Sequence, residues 1–301
     1  IRHDFRRLLI VDGQVCGFAL QEGAHLRPLL HPADTVTGIR HRLLPMTRSI
    51  LAELFDLREA RHHAGLIRDH LLFPDGVRLM SSPVPYRGGV ETVFKRAESA
   101  ANFGREIGLQ YVHAHLRYAE AMAKLGDAEA LWRALQVVNP VQLDALLPQA
   151  AVRQSNAYFS SSDGDFADRY EAATHFRCLR DGTVPVKGGW RIYSSGPGLY
   201  LHKVVASLLG WRESFGEIAL DPVLPTALNG LTARIPWAGK MIELHYQVGM
   251  SHTPKSVRLN GQPFTAFRPL DNPYRAGGVA IPRAAFAAFS DRAINRVEIE
   301  L

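Results

Sequence analysis

The sequence predicts a mainly helical protein with a β part at its C-terminal end, an α+β order. Three observations carry this expectation. Apolar residues recur at helical spacing between residues 49 and 138. After Gly210 the texture changes to short strand-like runs separated by turn residues. No βαβ alternation and no Gly-rich phosphate loop of the nucleotide-binding kind interrupts either part.

Taken in order, the runs 8–11 and 15–20 flank Asp12-Gly13, a strong two-residue hairpin signal. From Ser49, a candidate N-cap, Ile50, Leu51, Leu54 and Leu57 follow helical spacing. A second helix is expected over about 58–72, ended by Pro74, Asp75 and Gly76. A long helix over about 106–125 stops at Gly126, and Asp127 caps another over about 128–138, making a helical hairpin. Residues 140–198 are polar and poorly periodic, the kind of long loop that is usually functional. A helix over about 199–209 is stopped by Gly210. Strands are then expected at 217–220, 231–236, 241–248, 256–259 and 296–301, with turns at Ala238-Gly239-Lys240 and Asn260-Gly261. Together these read as a small antiparallel β unit.

At 301 residues the chain is one large domain or two modest ones, long enough for a proper core. No apolar run approaches the length of a membrane-spanning helix. The net charge is +6, and 29 of the 35 basic residues are Arg. That bias suits bidentate recognition of phosphate or carboxylate, though base composition of the source genome explains it as well. The charges are scattered and no zinc-finger or RNA-binding fingerprint occurs, so a nucleic-acid partner is not expected. The two cysteines, Cys16 and Cys178, lie far apart without a C-x-x-C, which argues against a zinc site or disulfide framework and fits a cytoplasmic location. The chain opens Ile-Arg-His-Asp without a Met or a signal peptide, and so reads as a piece of something longer.

Several residues are candidates for chemistry. His113 and His115, two apart on a helix, point to different sides and cannot share a metal as an i, i+4 pair would. Arg105-Glu106 stands where a helix N-terminus would attract anions, or is simply a well-placed first-turn Glu. Ser194-Ser195-Gly196-Pro197-Gly198 could cradle an oxyanion or form an ordinary cap, and it lacks the strand-flanked Gly-x-Ser-x-Gly of a nucleophile elbow. Asp163 and Asp165 fit paired carboxylates or plain turn formers, and the full calcium-loop spacing is absent.

Motifs in a fixed order point further. Gly104-Arg105-Glu106-Ile107-Gly108-Leu109-Gln110-Tyr111-Val112-His113 is followed by Asn139-Pro140, by Gly188-Gly189-Trp190-Arg191-Ile192-Tyr193-Ser194-Ser195-Gly196, and by Leu220-Asp221-Pro222-Val223-Leu224-Pro225. This arrangement resembles the C-terminal part of glycoside hydrolase family 94, the inverting phosphorylases of β-linked glucosides. The stretches Leu30-His31-Pro32-Ala33-Asp34-Thr35, Arg42-Leu43-Leu44-Pro45-Met46-Thr47-Arg48-Ser49, Phe73-Pro74-Asp75-Gly76-Val77-Arg78-Leu79-Met80 and Phe94-Lys95-Arg96-Ala97-Glu98 resemble its members acting on β-1,2-linked glucooligosaccharides.

The resemblance implies part of an (α/α)6 barrel over residues 1–210, with an N-terminal β-hairpin insertion, and a C-terminal antiparallel β domain over 211–301. It implies phosphorolysis with inversion to α-glucose 1-phosphate, with inorganic phosphate as co-substrate and no metal or organic cofactor. The expected partners are a β-glucan oligosaccharide, phosphate, an upstream half of the same enzyme and a second copy in a homodimer. Phosphate-binding positions fall on Arg105, His113, Ser194 and Ser195, and sugar-side positions on Glu106, Arg96 and Tyr193. Two departures stand out. The family's usual Thr-Gly turn is Ser-Ser here, and its general acid, an Asp in a Trp-Asn-Asp-like motif, has no match in the chain and is expected upstream of Ile1. Two alternatives stay open: a hydrolase on the same barrel, and a non-catalytic glycan-binding fragment.

Overall fold

The computed structural model describes residues 1–83, 109–150, 159–189 and 195–301. Their helices and small sheets make a mixed α/β fold. The chain divides into two units, one of Ile1–Ala121 with Arg133–Leu199, the other of Met122–Trp132 with Tyr200–Leu301.

The first unit begins with a helix, Arg2–Leu9, that buries none of its residues. It is held instead by Arg6, which forks onto the Glu59 carboxylate at 2.9 and 2.8 Å, and by Arg2, which donates to the Glu53 carbonyl at 2.7 Å. The expected hairpin follows but is short, Ile10–Val11 against Gln14–Val15. Its turn residues Asp12 and Gly13 both take the positive φ that a two-residue turn matched to strand twist requires. The predicted run 15–20 is broken at Gly17, whose missing side chain admits Leu30, and a second hairpin, Phe18–Glu22 with His25–Leu29, begins there.

Ser49 does not cap a helix. The helix runs from Leu43 to Leu51, so Ser49 lies inside it and is buried. Leu43, Met46 and Ile50 form the inward stripe, and Pro45 is tolerated because it sits in the first turn. The next helix, Leu57–His70, starts with a complete capping box between Asp56 and Glu59 and buries Ala60, His63 and Ile67. After it comes a tight hairpin, Leu72–Phe73 with Gly76–Val77, rather than a loop.

The long helix is shorter than expected. It spans Val112–Leu125, because Gln110 and Tyr111 are drawn into a strand pairing with Ser162 and Ser161. Residues 106–108 of the expectation lie outside the described residues. Gly126 ends this helix with φ +80, and the Asp127 carboxylate accepts from the Ala130 N–H of the next, Ala128–Gln136. The polar stretch 140–198 contains the strands Ser161–Gly164 and Val186–Gly189 and a helix, Arg169–His175, capped by Asp168.

The second unit holds two sheets. One orders Trp211–Ser214, Glu217–Leu220, Val279–Pro282 and Arg268–Pro269. The other orders Thr232–Trp237, Lys240–Gln247, Ile294–Glu300, Ser256–Leu259 and Gln262–Pro263. Here the expectation of a wholly antiparallel unit is corrected: Lys240–Gln247 and Ile294–Glu300 pair in parallel. A parallel pair needs a long crossover, and the chain between them supplies one that includes the helix Arg283–Phe289. Alternate residues such as Ile242, Leu244 and Tyr246, with Val297 and Ile299 opposite, are buried. Phe286 meets both Trp211 and Trp237 edge to face, at 5.5 and 5.1 Å.

The helix before Gly210 does not run on regularly. Ser195–Lys203 is α-helical, then Val204–Leu208 widens into a π-turn in which the Leu209 N–H reaches the Val204 carbonyl at 2.9 Å. Gly210 (φ +74) is required twice over, since a Cβ there would stand 2.1 Å from the Pro222 nitrogen. Beside it the Asp221 carboxylate accepts from Arg212 at 3.0 Å, from Arg275 at 2.9 Å and from the Gly278 N–H at 2.8 Å. Arg275 also donates to the Ala123 carbonyl, Asn272 to Lys124 and His252 to Gly126, which is why 122–132 groups with this unit.

Asp221→Ala removes the acceptor common to two guanidinium groups and a buried N–H. It is expected to destabilise the second unit by about 3–5 kcal/mol, as breaking a buried charge network does, read as an early transition in urea unfolding.

Candidate functional site

The described part of the sequence-predicted site is built on a three-stranded sheet. Gln110–Tyr111 and Val186–Gly189 both pair antiparallel with the central Ser161–Gly164. Ser161 stands opposite Tyr111 on one side and Gly189 on the other. The two outer strands therefore run parallel to each other, and both leave the sheet at the same edge. At that edge the Val112 N–H donates to the Ser160 carbonyl at 3.0 Å and the helix Val112–Leu125 begins.

His113 lies in the first turn of that helix, half-buried, with its ring stacked parallel to Tyr111 at 6.1 Å. Ser195 begins the helix Ser195–Lys203, and its side chain is outside the described set. Arg96, Arg105, Glu106, Tyr193 and Ser194 all lie outside the described residues. Asp163 sits half-buried on the central strand. Asp165, exposed, makes an ion pair with Lys187. These two aspartates thus belong to the strand and its end rather than to a flexible turn.

His115 has a different task. It is fully buried, its Nδ1 accepts from the Val77 N–H at 3.1 Å, and its Nε2 donates to the Ala134 carbonyl at 2.7 Å. Burial pushes its pKa down to about 4, so the imidazole stays neutral. Gly76 makes room for it: at φ +118, a Cβ would approach the ring to 2.7 Å.

Under the sheet lies a charge pair that the sequence did not announce. Arg78, with no exposed surface, donates from Nη2 to both Asp75 carboxylate oxygens, at 3.0 and 2.9 Å. Its other nitrogen donates to the Ser162 carbonyl of the central strand at 3.3 Å, and its guanidinium stands 4.9 Å from the Phe73 ring centre. Residues 74–76 read as a helix stop, which is true locally. Nothing in the spacing marks Arg78 as buried, because its partners come from a hairpin and a distant strand.

No cluster of three or more His, Cys, Asp or Glu side chains able to hold a metal occurs among the described residues. No described helix is long and apolar enough to cross a membrane.

Residues 210–299 match the family described as the glycoside phosphorylase C-terminal domain. Over 288 residues the chain is 47% identical to the 1,2-beta-oligoglucan phosphorylase of Listeria innocua serovar 6a (strain ATCC BAA-680 / CLIP 11262), covering 94% of this chain and 26% of that protein. It is also 27% identical over 131 residues to the cyclic beta-(1,2)-glucan synthase NdvB of Rhizobium meliloti (strain 1021), covering 44% of this chain and 4% of that protein. The chain thus spans a minor part of the length of both relatives. The resemblance drawn from the ordered motifs is borne out.

Two outcomes follow from the buried groups. Asp75→Asn strands the Arg78 charge and is expected to cost about 3–5 kcal/mol, measured by urea unfolding, whereas Asp4→Asn on the exposed first helix changes little. Acid should also weaken the first unit. His63 and His115 take up protons in the unfolded chain near pH 6.5 but in the folded chain only near 4. Stability therefore falls as pH drops from about 6.5 towards 4, by up to about 3 kcal/mol for His115. Melting temperature against pH reads this, and His115→Gln should flatten the slope.

Proposed function

We propose that this chain, whose residues 210–299 match the glycoside phosphorylase C-terminal domain, is a portion of an inverting phosphorylase of β-1,2-linked glucooligosaccharides. The similarity to 1,2-beta-oligoglucan phosphorylase along 94% of the chain carries the proposal. In this reading residues 1–210 contribute to an (α/α)6 catalytic barrel and 211–301 form the β domain. The co-substrate is inorganic phosphate, no cofactor takes part, and the protein works in the cytoplasm as a homodimer.

The chemistry needs few parts. A phosphate oxygen forms a bond to the anomeric carbon on the face opposite the leaving group as the β-glycosidic C–O bond breaks. The leaving oxygen takes a proton from a carboxylic acid, and α-glucose 1-phosphate is released. Arg105, His113, Ser194 and Ser195 are proposed to hold the phosphate, because a cation, an imidazole and hydroxyl donors together offset a dianion. Glu106, Arg96 and Tyr193 are proposed on the sugar side. The common edge at which the strands Gln110–Tyr111 and Val186–Gly189 end supports this grouping, since His113 follows one strand in the chain and Ser194-Ser195 follow the other. The Lys187–Asp165 ion pair gives no reason to make Asp165 the acid.

The chain fused to the N-terminal remainder of the Listeria relative is the enzyme to assay. It is expected to release α-glucose 1-phosphate from β-1,2-glucooligosaccharides only when phosphate is supplied. His113→Ala should lower kcat/KM for phosphate by roughly 10²-fold, the scale for losing one preorganised donor to a developing oxyanion. Glucose release without phosphate, or an unchanged His113→Ala enzyme, overturns the proposal.

A further inference from the structure

The first unit holds a cavity of about 810 Å³ whose described lining does not include His113. Its volume is that of a small-molecule site. Arg40, Arg177 and Arg180 all contribute to its wall. None of the three has an ion pair or a side-chain hydrogen bond among the described residues. Among the described residues one carboxylate, Asp69, lies in the wall, with Arg68 as its neighbour at 3.6 Å; it attracts Arg180, which Arg177 repels. Three guanidinium groups against one carboxylate leave an excess of positive charge around the concavity, and an anion placed among them offsets it.

Imidazole rings add to the wall. His41 and His70 stack in the wall with ring centres 4.3 Å apart and planes 18° from parallel. His41 is only 4% exposed, and its enclosed Nδ1 has no hydrogen-bond partner among the described residues. Burial, His70 and the Arg40 charge push the His41 pKa down to about 4, so the stack adds neutral donor and acceptor capacity rather than charge. Gln14 is another wall residue. Phe73, itself buried, also contributes to the lining, with the Arg180 guanidinium 5.0 Å from its ring centre.

We propose that this cavity is an anion site that binds a phosphate group, free or carried on a sugar-sized molecule. The three guanidinium groups supply charge and forked N–H donors. Ser81 and Ser82 add hydroxyls from the same wall. The volume exceeds what a bare phosphate needs and leaves space for a sugar-sized group. The inference does not depend on the phosphorolytic reading, since binding is measurable without turnover.

Calorimetry on the 301-residue chain tests it, with inorganic phosphate, glucose 6-phosphate and uncharged glucose as probes. A phosphate-bearing probe is expected to bind, and raising the salt concentration should weaken it. Arg40→Gln and Arg177→Gln are each expected to weaken binding by about tenfold, the scale of one charge-assisted contact, with Arg177→Lys retaining part of it. Both arginines are exposed, so the fold should survive, and an unchanged thermal melt checks that. Tighter binding of glucose 6-phosphate than of phosphate assigns the site to a phosphate ester, and equal binding assigns it to free phosphate. Either outcome supports the proposal. Failure of both phosphate probes to bind, binding that survives both substitutions, or glucose binding as tightly overturns it. In the fused enzyme Arg177→Gln should leave phosphorolysis unchanged, so failure here and failure of the functional reading are told apart.

Discussion

The buried pair of Asp75 and Arg78 is the constraint on which the first unit depends. Two charges removed from water are costly unless they are held close together. The hairpin Leu72–Phe73 with Gly76–Val77 does this by folding Asp75 back onto Arg78, whose Nη2 reaches both carboxylate oxygens. The guanidinium then reaches Ser162, so the pair also ties the hairpin to the central strand of the site sheet. Adjacent backbone does the same: the Val77 N–H goes to His115, the Leu79 N–H to Leu109, and the Leu43 N–H to the Leu79 carbonyl. One short segment thereby orients the strand before His113, the helix that carries it, and the helix Leu43–Leu51.

The second unit repeats the logic with a different centre. Asp221 gathers Arg212, Arg275 and the Gly278 N–H at the close approach that only Gly210 permits. Its neighbours Pro222 and Val223 belong to the ordered motif that marks the family resemblance. A motif of this kind records a packing requirement as much as a chemical one. The proposed chemistry falls on the other unit's strand ends, where His113 is half-buried while His115 is enclosed.

Much of the local structure was legible in the residues. Asp12-Gly13 and Asn260-Gly261 take the positive φ values that their turns require, and Asp127 caps its helix as its position suggests. The strands Glu217–Leu220 and Ser256–Leu259 match their expected bounds, since alternation and flanking turns are read within a few residues. The misses share one cause. Ser49 has the chemistry of a cap but lies within a helix that packing extends to Leu43. Gln110 and Tyr111 fit a helical pattern but pair with residues of the polar segment, whose strands show no apolar alternation of their own. Of the candidate site, the sequence indicated His113, but it held no sign of the Arg40, Arg177 and Arg180 cavity, whose wall is assembled from separate segments.

By itself the sequence determined the turns, the caps, the order of helical and β parts and the family resemblance, because each rests on interactions between residues a few positions apart or on motifs in linear order. Only the tertiary structure decided which polar groups are buried, which strand pair runs parallel and which arginines share a cavity. The physical reason is desolvation. Whether a charge is costly or useful depends on what surrounds it, and for Arg78 part of that surrounding is a carbonyl 84 residues away.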